Sequence, residues 1–295
     1  MKKSSIYLFL SILVIAFLSS CEEAFTTIKD IDFPEHESKL AVFAELNQNS
    51  GSLFVSYSKE IDESSNYNTI DANVEILEND SLLLNLEYSD INKINLDFNK
   101  YLQPGKEYKL IVKNDEYGTA TSTQIMPQKP EILDAKYKQD GIITSDGYKE
   151  DKFTLQIKDN KNTDEYYYVE LYNIYEINGV TIENMLYLEN DFNGFGYDVY
   201  YSNYNGIVFN DTNFDGNTAN LVFTSNYYNY NNESKMRAKV YAITKEFYDF
   251  LVTYSQYYYS DGNPFAEPVT VTNNIENGYG LFSVSNIATF DFEIE

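Results

Sequence analysis

The sequence predicts a mainly-β protein: a β-sandwich followed by a second mainly-β domain that carries one helix near residues 245–257. Three observations predict it. From Leu40 onward, apolar and polar residues alternate with a period of two in short runs bounded by Asn, Asp, Gly and Ser, as half-buried strands do. At Met126-Pro127-Gln128-Lys129-Pro130 two prolines within four residues disfavour regular structure and mark a boundary. Near the C-terminus the period changes, with Phe247, Phe250, Leu251, Tyr254 and Tyr258 spaced by three and four.

Before Leu40 the chain reads as a processing segment and a tether. Lys2 and Lys3 precede an apolar run from Ile6 to Phe17, which is shorter than the roughly 20 residues that span a bilayer. The tetrad Leu18-Ser19-Ser20-Cys21 then matches a lipobox, in which the thiol takes diacylglycerol and cleavage exposes Cys21 as the new N-terminus. Residues 1–20 are therefore expected to be a lipoprotein signal peptide, with Cys21 as the lipidation site. Acyl chains contribute about 0.8 kcal/mol per buried methylene, so two or three hold a protein on a membrane durably. Cys21 is the single cysteine, so no disulfide can form within the chain and stability must come from packing. Residues 21–39, polar and acidic, read as a tether.

Residues 40–126 form the first expected domain. Strands are predicted at 40–46, 53–59, 72–77, 81–86, 94–98, 108–112 and 119–125, a number and spacing that suit a sandwich. Within them, Leu102-Gln103-Pro104-Gly105-Lys106-Glu107-Tyr108-Lys109-Leu110-Ile111-Val112 resembles the turn and strand of immunoglobulin/fibronectin III-like domains that carries the tyrosine corner. That resemblance implies a Pro-Gly reversal and a Tyr108 hydroxyl bonded back to nearby backbone. Residues 131–295 form the second expected domain, with strands at 153–157, 166–175, 180–188, 198–201, 206–209, 219–224 and 236–242. Thr244 is placed to cap the helix at 245–257, whose aromatic face is expected to pack on a sheet.

Removing residues 1–20 takes away two lysines and no acid, leaving 19 basic against 46 acidic side chains, a formal charge of −27. Nucleic acid is excluded as a partner, because its binding depends on clustered Lys and Arg, and Arg237 is the single arginine. The single histidine, His36, falls in the tether, which excludes Ser-His-Asp and Cys-His catalysis and histidine-rich zinc sites. Asp211-Thr212-Asn213-Phe214-Asp215-Gly216 fits the first half of a calcium loop, with Asp211, Asn213 and Asp215 as candidate ligands. Its second half is missing, since position twelve is Val222, and an Asp/Asn/Gly hairpin turn explains the same residues. Among 46 acids no pair stands out for carboxylate hydrolysis. Tyr-rich stretches at 197–204 and 227–230 offer surfaces for carbohydrate or peptide, although the absence of Trp weakens the sugar version.

The chain closes with Asn263-Pro264-Phe265-Ala266-Glu267-Pro268-Val269 and Asn273-Asn274-Ile275-Glu276-Asn277-Gly278-Tyr279-Gly280-Leu281-Phe282. With the lipobox, the Pro127–Pro130 junction and the Phe214-Asp215-Gly216 turn, this pair resembles the Bacteroidetes outer-membrane lipoproteins grouped as domain of unknown function 4249. In the closing motif, Gly278 and Gly280 are expected to permit positive φ or close backbone approach, while Ile275, Leu281 and Phe282 bury. The resemblance implies an envelope role, since such lipoproteins are often encoded beside TonB-dependent transporters, and it supplies no catalytic residues. Glu22 and Glu23 resemble the acidic export signal of surface lipoproteins in that phylum, and Asp80-Ser81-Leu82 resembles its short O-glycosylation motif. The expected function is thus a lipid-anchored, non-enzymatic accessory protein of a TonB-dependent transporter or its cargo. A carbohydrate- or peptide-binding surface lipoprotein and a carboxylate hydrolase are the alternatives.

Overall fold

The period of two in the sequence reappears as alternating burial. In β1 (Leu40–Leu46), Leu40, Val42, Ala44 and Leu46 are buried and the residues between them half-buried. The structure, a computed structural model, describes residues 36–60, 70–89, 92–143, 146–190, 196–201, 204–225, 235–260, 263 and 265–294. Residues Ser38–Glu295 belong to one compact unit.

The described strands after β1 are β2 (Ser50–Tyr57), β3 (Ala72–Glu78), β4 (Ser81–Tyr88), β5 (Ile94–Asp97), β6 (Glu107–Asn114), β7 (Gly118–Ile125), β8 (Glu131–Ile143) and β9 (Lys149–Lys158). They continue as β10 (Tyr166–Ile177), β11 (Val180–Met185), β12 (Glu189–Asn190), β13 (Gly196–Tyr201), β14 (Tyr204–Asn210), β15 (Thr218–Ser225) and β16 (Lys235–Ile243). Helix α1 (Lys245–Ser260) is followed by β17 (Tyr279–Asp291) and β18 (Glu293–Ile294). The fold is therefore mainly β, in three sheets. A nine-stranded sheet runs β13-β14-β10-β16-β17-β1-β2-β5, with β11 also paired to β10. A five-stranded sheet runs β12-β15-β9-β8-β18, and a four-stranded sheet runs β4-β3-β6-β7.

The two smaller sheets cover different stretches of the large one. Leu40, Val42, Leu53 and Val55 of the large sheet share a core with Val74, Ile76, Leu110 and Val112 of the four-stranded sheet. Val169, Leu171, Ala238 and Val240 share a second core with Phe153, Leu155, Leu221 and Phe223 of the five-stranded sheet. A boundary at Met126–Pro130 separates the two smaller sheets but cuts across the large one. The reason is β17, which pairs in parallel with β1 over Ala41–Leu46 and antiparallel with β16 over Arg237–Ile243. Its Phe282 and Val284 enter the first core, and Phe290 packs against the second.

The closing motif sets β17 in place. Asn274 acts as a strand partner through its side chain: its Oδ1 accepts the Phe282 N–H at 2.8 Å and its Nδ2 donates to the Phe282 carbonyl at 2.7 Å. Glu276 exchanges two backbone hydrogen bonds with Thr121 of β7, at 3.1 and 2.7 Å. Ile275, Leu281 and Phe282 are buried as the sequence suggests. At Gly280 φ is +118°, and a Cβ there would lie 2.0 Å from the Val42 carbonyl oxygen. Only glycine permits the two backbones to approach so closely.

Two local expectations have direct counterparts. The Tyr108 hydroxyl accepts the Gln103 N–H at 2.8 Å, closing the corner, and burial first of all, with Glu78 adding to it, pushes its pKa up to about 12. Thr244 Oγ1 accepts the Phe247 N–H at 3.4 Å at the start of α1, whose Phe247, Phe250 and Leu251 bury against Tyr168, Val208, Ile243 and Leu281.

Gly280→Ala is expected to lower the unfolding free energy in urea by at least about 2 kcal/mol, through strain and loss of the β1–β17 approach. Gly118→Ala, at φ +80° with no described atom within 4 Å of the added methyl, should lose only about 1 kcal/mol. Equal losses would contradict the role given to the β1–β17 contact.

Candidate functional site

The face of the nine-stranded sheet turned away from the two sandwich cores is apolar under α1 and polar beside it. Alternation along β10 explains this division. Tyr167, Val169 and Leu171 face the second core, which turns Tyr168, Glu170 and Tyr172 to the other side. Pairing brings Tyr241 of β16 opposite Tyr168, and Ile287 of β17 opposite Tyr241. Glu45 of β1 stands in register between Ser283 of β17 and Ser52 of β2. These strands enclose a recess of about 220 Å³, closed on the helix side by Phe247.

Glu170 is a carboxylate only 4 % exposed at the wall of this recess. Isolated burial of that kind is costly, and hydroxyl donors offset it. Tyr172 Oη and Tyr241 Oη donate to Glu170 Oε2 at 2.7 and 2.8 Å. Burial raises the pKa of Glu170, while the hydroxyls of Tyr172, Tyr241 and Tyr168 and the charge of Lys239 act to lower it. The three tyrosines are in turn raised above the usual phenol range, chiefly by burial, so they remain donors at neutral pH.

Beside Tyr172, on the same face, lies a charged network that ties β16 to β11 and β17. Lys239 Nζ sits 4.1 Å from the centre of the Tyr172 ring and donates to Glu183 Oε2 at 2.7 Å. Arg237 is forked on Asp291, with Nε to Oδ1 at 2.6 Å and Nη2 to Oδ2 at 3.2 Å, and reaches Glu183 at 3.3 Å. These contacts hold the Glu183 and Asp291 carboxyls below their ordinary range. The recess opens beside a groove of about 560 Å³ that shares Asn47, Ser50, Tyr241 and Ile287 with it. Gln48 Nε2 pins one wall by donating to Asn286 Oδ1 at 2.9 Å and to the Ile287 carbonyl at 2.7 Å. The arrangement can accept hydrogen bonds and positive charge within a preformed hollow, the usual form of a small-ligand site.

The residues singled out in the sequence lie elsewhere. Cys21, the 1–20 segment and the 227–230 stretch lie outside the described residues, as do the side chains of 197–201 and 204. Asp211 Oδ2 accepts the Glu165 N–H at 2.8 Å and Asp215 Oδ1 accepts the Asn162 N–H at 2.8 Å, while Asn213 is exposed. The 211–216 turn is thus stitched to the 159–165 loop through its carboxylates. Among the described residues no three His, Cys, Asp or Glu side chains gather where they could hold a metal ion. The recess residues went unread, although an acid at Glu170 amid Tyr166-Tyr167-Tyr168-Val169 and Leu171-Tyr172 is a visible anomaly.

In the stitched loop, burial pushes Asp159 up to about 6, helped by its hydrogen bond with Glu165, while the Gly216 amide pulls the other way. Burial raises Glu165 too, but hydrogen bonds from Asn160, Tyr167 and Asp159 outweigh it and leave its pKa lowered. The folded chain therefore keeps on Asp159 a proton that the unfolded chain releases near 3.8. That contribution to stability is complete below about pH 3.8 and is lost as pH rises through about 6, whereas Glu165 acts in the opposite sense only below about 4.5. Urea unfolding between about pH 4.5 and about pH 6.5 is expected to show the wild type losing stability more steeply than Asp159→Asn; parallel curves would contradict this.

A search of curated proteins found no match to the chain. The sequence model of the family described as "Domain of unknown function (DUF4249)" matches residues 26–291, so the chain belongs to that family.

Proposed function

We propose that the chain is a lipid-anchored accessory protein of the outer membrane, attached through Cys21, that partners a TonB-dependent transporter or holds its cargo and performs no catalysis. The observation that carries this reading is the recess with its adjoining groove. It is a polar hollow of ligand size, carried on one sheet whose strands are tied together on the same face by the Arg237–Glu183–Lys239 network. Such a hollow favours the cargo-holding form of the role. The lipobox around Cys21 supports the anchor, and the acidic composition suits a protein that meets a membrane through lipid and not through basic residues.

A carbohydrate- or peptide-binding lipoprotein that works without a transporter would use the same groove, whose amides at Asn47, Gln48, Asn49 and Asn286 suit polar ligands. Carboxylate hydrolysis has one point in its favour, since Glu45 and Glu170 line one recess. Against it, Glu170 Oε2 already accepts hydrogen bonds from two tyrosine hydroxyls, which suits a fixed acceptor better than a group that trades its own proton.

Extraction of the tagged full chain in mild detergent, followed by identification of what co-purifies, tests the proposal. The expected outcome is a β-barrel transporter in about equal amount with the wild type, and release of Cys21→Ala into the soluble fraction. A lone monomer, or a Cys21→Ala chain that stays with the outer membrane, contradicts it.

A further inference from the structure

We infer that the recess between α1 and strands β10, β16, β17, β1 and β2 binds a primary ammonium group, the head of a ligand whose polar body rests in the adjoining groove. This inference rests on the cargo-holding reading above and names the chemistry of the cargo.

Three observations carry it. First, two carboxylates, Glu45 and Glu170, line the recess, and no Lys, Arg or His does. Each carboxylate has one lysine near it outside that lining, Lys93 at Glu45 and Lys239 opposite Glu170 on the next strand, so a ligand cation would stand inside the recess between the two carboxylates. Second, the row Ser283–Glu45–Ser52 crosses β17, β1 and β2 in register, on adjacent strands whose facing side chains stand about 5 Å apart. Ser283 is 1 % exposed and Ser52 9 %, both line the recess, and neither hydroxyl makes a hydrogen bond to a described residue. Hydroxyls so deeply buried are ordinarily bonded, and here the open side is the recess. Third, Tyr172 and Tyr241 hold Glu170 in place through one oxygen, so its position does not depend on a ligand.

The same geometry selects among cations. A guanidinium forks onto both oxygens of a carboxylate, and Glu170 Oε2 is already occupied by two tyrosine hydroxyls. A compact ammonium needs only single oxygens, which Glu170, Glu45 and the serines offer from separate sides. Calcium takes six to eight oxygens and magnesium an octahedron, and two carboxylates on different strands do not build either shell. Lys93 reaches Glu45 Oε2 at 3.5 Å, but its side chain is 42 % exposed, and a pair of that kind is weak enough to yield to a bound cation. In the groove, the amides of Asn47, Gln48, Asn49 and Asn286 and the hydroxyl of Tyr101 suit an amide or hydroxyl body, and Lys129 and Lys239, which also line it, disfavour a second positive charge there. Lysine side chains, peptide amino termini and aliphatic diamines share this chemistry.

Calorimetric titration of the detergent-solubilised full chain separates them. The probes are pentane-1,5-diamine, Nα-acetyl-lysine amide, triglycine amide with a free amino terminus, and neutral pentane-1,5-diol. At least one amine is expected to bind while the diol does not, and the amine that binds identifies the source. Glu45→Gln and Glu170→Gln are each expected to weaken that amine by about tenfold or more, as loss of a charged hydrogen bond does. Glu45→Gln lies on a half-buried position of β1 and should melt like the wild type, so it keeps the test open where Glu170→Gln fails to fold. No heat from any amine with the wild type, equal binding of the diol, or unchanged amine affinity in Glu45→Gln overturns the inference. Absence of amine binding together with a co-purifying barrel overturns the ligand class and leaves the accessory role standing.

Discussion

The parallel pairing of β1 with β17 is the contact on which the rest of the molecule depends. It joins residues 41–46 to residues 279–284, almost the full length of the described chain apart, and no disulfide shares the task. Closing so long a loop costs entropy, but only slowly with length, so a well-packed strand can offset it. The packing is present: Phe282 and Val284 enter the first core fully buried, and Leu281 is buried beneath α1. Gly280 lets β17 approach Val42 at a distance that no side chain would allow, and Asn274 completes the hydrogen bonding at the strand's start. The closing segment is thus first a structural clasp.

The recess follows from the clasp. Its walls come from β10 and β16 on one side of the junction and from β1 and β2 on the other, with β17 between them. If β17 did not pair with both β16 and β1, Glu45 and Ser52 would have no fixed relation to Glu170 and Tyr241. A site where two packed cores of one unit meet is favoured, because their junction supplies concavity while each core supplies rigidity. Here the rigidity is visible in the Tyr172–Glu170–Tyr241 hydrogen bonds and in the Arg237 network outside them.

Much of the local structure was legible in the sequence. The strand at 40–46 has the bounds of β1, the 245–257 helix has its Thr244 cap, and the Tyr108 corner bonds to Gln103. Each of these is written in a few neighbouring residues, through period, cap or turn chemistry. What spans the chain was not legible. The partner of β1 cannot be read from alternation, which marks a strand's faces but not its neighbour. Strand β8 follows the two prolines directly, within the expected second domain but ahead of its first predicted strand at 153–157. The recess was hidden for the same reason: Glu45, Glu170 and Ser283 are unremarkable apart and meaningful only in register. The Asp211-Asn213-Asp215 signal was read as candidate ligands, and the Asp211 and Asp215 carboxylates accept backbone N–H groups of the 159–165 loop.

Expression of a chain that ends at Pro130 puts the clasp to the most direct trial. That piece contains β1 to β7 and the Tyr108 corner but lacks β17, leaving the β1 edge unpaired and the first core without Ile275, Phe282 and Val284. If β17 is the keystone, the piece shows no cooperative thermal or urea transition and gains one when residues 270–295 are supplied as a peptide. A piece that folds cooperatively by itself, with a midpoint near that of the full chain, would contradict the central place given to the β1–β17 pair.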